Sequence, residues 1–208
     1  MSLRFGASTV TALRYGTTTV SKVYRGATEA WASTSTYRFF EGVDGPSGAE
    51  NEGTALSIGL EFYVTTAASA TALWFWRPET GVGGAVTGRI YQVASASAGT
   101  PVDGTDVTFT LSGTGWQQAP LAASVPLTPG QRYRAVIHHP SGLFPVTPQY
   151  WQGAGPGASG RTSGPLVAPN AASATGGDQC AYDDSASITF PTSSFGAGNY
   201  WVDVSVAA

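Results

Sequence analysis

The chain has 208 residues, of which 42% are hydrophobic, 12% aromatic and only 11% charged, with 27 Gly and 13 Pro. That aromatic and apolar content argues against disorder, and the low charge and many turn residues point to a folded all-β protein. The net charge of −3 is unevenly spread: residues 1–32 hold Arg4, Arg14, Lys22 and Arg25 against Glu29, while the remainder holds six Arg against twelve Asp or Glu, which excludes the basic stripe of a nucleic-acid surface. The single cysteine, Cys180, excludes an internal disulfide. No run approaches the roughly 18 apolar residues of a membrane span. The opening MSLRFGASTV has no apolar core of a secretion signal, so none is expected.

Residues 3–31 state one ten-residue phrase three times. Gly6, Gly16 and Gly26 fall ten apart, Thr9-Val10 returns as Thr19-Val20, and Leu3-Arg4-Phe5 returns as Leu13-Arg14-Tyr15. The period predicts a short β-meander over 1–32, with strands of about six or seven residues turning at the glycines. Leu13 and Tyr15 share a strand face, Val20 and Tyr24 alternate with Val23, and Trp31 closes the last copy. Three short strands with apolar residues on both faces cannot build a core alone. Leu13, Tyr15, Val20, Tyr24 and Trp31 are therefore candidates for an assembly interface, the alternative being a meander packed on its own domain.

STST at 33–36 reads as a linker, and 37–208 as one sandwich domain. ALSIGLEFYV alternates, with Leu56, Ile58, Leu60, Phe62 and Val64 on one face and Ser57, Gly59, Glu61 and Tyr63 on the other. TALWFWRP, VTGRIYQVA, DVTFTL, QRYRAVIHH and SITFP follow at sandwich-like intervals, and no capped helix is evident. In NYWVDVSV the pattern turns Tyr200, Val202, Val204 and Val206 inward and Trp201, Asp203 and Ser205 outward. About ten strands point to a jelly-roll-like antiparallel β-sandwich. Residues 153–177, rich in Gly, Ala and Ser, are expected to form a long flexible loop.

Nothing in the chain supports catalysis: there is no Gly-x-Ser-x-Gly elbow, and adjacent His138 and His139 must point to opposite strand faces, one packed and one exposed. Two acidic groups stand out, Asp44, Glu50 and Glu52 early and Asp178, Asp183 and Asp184 late. Calcium takes six to eight oxygen ligands from such loops. Jelly-roll sugar-binding modules hold a structural calcium between an early acidic residue and a late Asp, roles for which Glu52 and Asp203 are candidates against plain solvation. A flat aromatic ring stacks on a pyranose, and Tyr150 and Trp151, flanking the long loop, are the candidates for that contact. Trp74, Trp76 and Trp116 are expected in the core.

FFEGVDGPSGAENEGTALSIGLEF, WFWRP, GTGWQQAPL, VPLTPGQRYRAVIHHPSG and FPTSSFGAGNYWVDVSV, taken in order, resemble a domain of unknown function, number 4082, found in secreted bacterial proteins beside immunoglobulin-like and carbohydrate-active modules. The resemblance spans roughly 37–206 and implies a β-sandwich accessory module without enzyme activity. The N-terminal copies are similar to the start of minor tail proteins of long-tailed phages. That second resemblance implies a structural virion protein, made in the host cytoplasm without a signal peptide. Its implied partners are other virion subunits through residues 1–32, further copies of itself, and host cell-wall glycan. Open alternatives are a capsid decoration protein and a carbohydrate-binding module of a bacterial surface protein.

Overall fold

The computed structural model describes residues 4–5, 8–9, 12–15, 17–25, 28–32, 34–43, 45–78 and 84–208. It divides into two compact units, Met1–Thr36 and Tyr37–Ala208.

In the first unit β1 (Arg4–Phe5) pairs with β2 (Ser8–Thr9), β3 (Leu13–Tyr15) with β4 (Thr18–Val20), and β5 (Lys22–Arg25) with β6 (Thr28–Ala32), all antiparallel. Among the described residues, then, the three expected strands are six shorter ones, and each copy of the phrase pairs as a hairpin of its own. Two residues separate the strands of each pair, the first always Gly in the sequence, which suits a two-residue hairpin connection. Leu13 and Val20 face each other and are half-buried, whereas Tyr15 is 85% and Tyr24 56% exposed. Trp31 stands opposite Val23 in register, and its side chain lies outside the described residues.

The second unit is an all-β sandwich built from β7 (Thr36–Tyr37), β8 (Gly48–Asn51), β9 (Leu56–Val64), β10 (Ala68–Arg77), β11 (Thr87–Ser95), β12 (Ala98–Pro101), β13 (Val107–Thr108), β14 (Gly115–Leu127), β15 (Tyr133–His139), β16 (Leu143–Val146), β17 (Arg161–Ser163), β18 (Leu166–Ala168), β19 (Cys180–Asp184) and β20 (Val202–Ala207). One sheet runs β14-β10-β20-β7. The larger sheet runs β12-β11-β15-β9-β18-β17, with β13 on β11 and β19 on β9. A separate ribbon pairs β8 with β16.

The alternation in β9 and β20 aims Leu56, Ile58, Leu60, Phe62, Val64, Val202, Val204 and Val206 into one core, all with no exposed surface. The opposite faces are covered as well. Ser57 and Glu61 of β9 are fully buried: the Thr189 N–H donates to Ser57 Oγ at 3.2 Å, and beside it Ile188 and Phe190 pack on Tyr91, Val93 and Val136 as a second small core. Glu61 accepts from Arg132 Nη1 at 3.3 Å, Arg134 Nη2 at 3.4 Å and the Thr175 backbone N–H at 3.0 Å. Gly59 gives the Arg134 stem its place, since a Cβ there would lie 2.9 Å from Arg134 Cγ. Burial lowers the Arg134 pKa, and the Glu61 carboxylate opposes that shift.

Residues 153–177 differ from the expected long flexible loop. They contain the β17–β18 hairpin, which extends the large sheet through Leu166 opposite Val64. Leu166 and Ala168 are fully buried, and that burial is what draws the segment onto the domain. Both histidines are buried, correcting the expectation that one is exposed. His138 Nδ1 meets Ser57 Oγ at 3.3 Å, and His139 lies edge-on to Phe75 at 5.0 Å.

Candidate functional site

An open cleft of about 500 Å3 lies where the β8–β16 ribbon meets β19 and the 193–200 segment. Phe144, Val146, Pro148, Tyr182, Phe195 and Tyr200 form its apolar surface, and Glu50 and Glu52 supply its carboxylates. Local pairing explains how these side chains come together. Glu50 is the cross-strand partner of Phe144, so the two share one face of the ribbon. Glu52 follows the strand end, where its N–H bonds the Gly142 carbonyl at 3.1 Å. Gly142 has φ +74°, and a Cβ there would lie 2.4 Å from the Thr54 carbonyl, so this corner requires glycine.

The other wall is held by backbone bonds. Tyr182 and Ser193 exchange two, at 2.7 and 3.0 Å, and Thr147 and Asn199 exchange two more, at 3.0 and 2.9 Å. These two bridges hold the ends of the turn that presents Phe195, which is 75% exposed. Gly196 and Ala197, both with positive φ, complete that turn. Tyr200 is edge-on to Phe144 at 5.7 Å and to Tyr182 at 6.4 Å. Burial pushes the Tyr200 phenol well above its ordinary pKa, so it stays a neutral hydroxyl.

Tyr150 and Trp151 are elsewhere, and neither offers a face to solvent. They are 2% and 1% exposed and pack with Phe40, Trp116 and Trp201 in an aromatic cluster. The expectation that they stack on a sugar is corrected for a steric reason. The glycine-rich segment lies flat on them, since a Cβ at Gly157 would come within 2.5 Å of Trp151 and 2.7 Å of Tyr150. Arg161 Nη1 then donates to the Tyr150 hydroxyl at 2.9 Å. Trp74 and Trp76 are half-buried, Trp74 under the Arg38 guanidinium, while Trp76 and Trp116 join the cluster through Trp201.

The structure does not bring Asp203 to Glu52. Asp203 is fully buried and accepts four bonds: Arg38 Nε at 3.1 Å and the N–H groups of Phe39 and Phe40 at 3.0 Å each and Val204 at 2.8 Å. A carboxylate has about four lone-pair sites, so no side of Asp203 is left for a metal ion. Burial raises its pKa, and the Arg38 guanidinium opposes that rise. Arg38 also lies over the rings of Trp74 and Trp116, at 4.0 and 4.7 Å. The residue read as a late ligand is a clasp on the chain entering the sandwich. Asp44 lies outside the described residues, and no group of three metal-binding side chains occurs among the described ones.

The sequence pattern named Glu50 and Glu52 but missed the aromatic partners Phe144, Tyr182 and Phe195. The available signal was SSFGAG, a large ring beside two glycines in a turn, where a packed role is hard to build. The sequence profile of the family described as Domain of unknown function (DUF4082) matches residues 43–202. No curated protein matches the chain.

Proposed function

The chain belongs to the DUF4082 family, and from that premise we propose that it is a non-catalytic recognition module that binds glycan in the Phe195 cleft. The observation that carries this reading is an open, aromatic-lined hollow with carboxylate acceptors at its edge. Aromatic rings stack on the apolar face of a sugar, and carboxylates accept from its hydroxyls. Convergent polar groups in an apolar hollow are the usual form of a small-molecule site. Against acid–base catalysis stands the position of the histidines: burial drives the His139 pKa down to about 3 and lowers that of His138 too.

The module is proposed to ride on a particle as a structural virion protein of a phage, with residues 1–32 as its attachment segment and the sandwich displayed toward the host surface. Support comes from the threefold hairpin phrase and from Tyr15 and Tyr24, large rings left in solvent by the first unit. The decisive experiment is a glycan array or host cell-wall pull-down with the wild type and Phe195→Ala. Signal from the wild type that the folded variant loses supports the reading, and equal binding by both removes the cleft from it.

A further inference from the structure

The charge of the cleft selects among glycans. Resting on the glycan reading above, we infer that the preferred ligand is an amino sugar with a free, protonated amine, its ring on the aromatic wall and its ammonium between Glu50 and Glu52. No Lys or Arg lines the cleft among the described residues, while two carboxylates do. Neither carboxylate is in an ion pair among the described residues; the pairs present join Arg38 to Asp203, Arg89 to Asp106, and Arg132 and Arg134 to Glu61.

The surroundings carry the same sign. Asp184 stands two residues beyond Tyr182, on the same face of β19 by strand alternation. Among the described lining residues, an acidic sugar or a phosphate meets like charge alone. A neutral sugar gains the ring contact and ordinary hydrogen bonds. An ammonium gains charge-assisted bonds to Glu50 and Glu52, and the exposed Phe195 ring beside them offers a π-face to a cation.

The test compares two probes differing only at the amine: the tetrasaccharide of glucosamine and the tetrasaccharide of N-acetylglucosamine. Titration calorimetry runs at about pH 5, because the neighbouring hydroxyl and acetal oxygens make a sugar amine much less basic than the lysine reference of about 10.4, with wild type, Glu50→Gln/Glu52→Gln and Phe195→Ala. All three substituted side chains are exposed, so the variants should fold, and a melting curve checks it. The expected result is binding of the free-amine probe about tenfold tighter, a gap narrowed by added salt and closed by the double glutamine variant. Equal or tighter binding of the acetylated probe leaves the glycan reading standing and overturns the inference. Binding of neither probe at millimolar concentration counts against both. A preference that survives in the double variant assigns it to other residues and also overturns the inference.

Discussion

Replacing Asp203 by alanine is the sharpest test of how the sandwich is closed. The substitution leaves the Phe39 and Phe40 N–H groups without their acceptor in a buried place and strips Arg38 of its carboxylate. An orphaned buried donor costs about 1–3 kcal/mol, and breaking a buried pair from one side costs about 3–5 kcal/mol. These figures overlap rather than add, so the expected loss is about 3–5 kcal/mol, a large part of the ~5–15 kcal/mol that holds a typical domain. With a urea slope of about 2 kcal/mol per molar, the unfolding midpoint falls by about 1.5–2.5 M. Arg38→Ala should cost less, because Asp203 keeps its three backbone donors and the Arg38 side chain retains 12% exposure. Urea unfolding followed by tryptophan fluorescence reads both variants. A loss below about 1 kcal/mol for Asp203→Ala, or equal losses for the two, refutes the clasp.

Trp151→Ala should destabilise by about 3–5 kcal/mol as a core truncation, whereas Phe195→Ala should stay within about 0.5 kcal/mol of wild type; comparable melting shifts would reverse these placements. His139 is held neutral in the fold with a pKa near 3 against 6.5 unfolded. Between those values the unfolded chain binds the extra proton, so stability falls as pH drops, by up to about 1.4 kcal/mol per pH unit. His139→Leu should flatten that slope in pH-dependent urea melts, and an unchanged slope assigns it to other groups. Four donors fill Asp203, so any drop in Tm caused by excess chelator should be the same size in Asp203→Asn as in wild type; a drop lost in the variant would show an ion at Asp203 bound by the folded state. Deleting residues 1–32 should leave the sandwich folded, since β7 begins at Thr36, yet keep it out of particles in a complementation assay; normal entry would refute the attachment role.

The strands that read most clearly in the sequence are those with one simple rule. Leu56 to Val64 and Val202 to Val206 alternate, and their inward sets are the core. The same rule misjudged Glu61 and Asp203, because alternation says which face a side chain takes but not what covers that face. Here the covers are irregular: 185–194 and Thr175 over the large sheet, and Arg38 to Phe40 over the small one. Such segments have no period to read. Tyr150 and Trp151 looked available because they border a glycine-rich stretch, yet the lack of side chains is what lets that stretch lie against their rings. The cleft combines residues from 50 to 200, brought together by the Tyr182–Ser193 and Thr147–Asn199 bridges. Only its carboxylates formed a visible cluster in the chain.

A bound sugar should touch the protein in the Phe195 cleft and leave the Tyr150–Trp151 cluster alone. Amide and aromatic-ring chemical shifts of the labelled sandwich, followed during titration with host cell-wall oligosaccharides and the glucosamine tetrasaccharide, locate that contact residue by residue. The prediction is saturable shifts at Glu50, Glu52, Phe144, Tyr182, Phe195 and Tyr200, with Tyr150 and Trp151 unmoved. Saturable shifts centred elsewhere, or none at millimolar ligand, would contradict it.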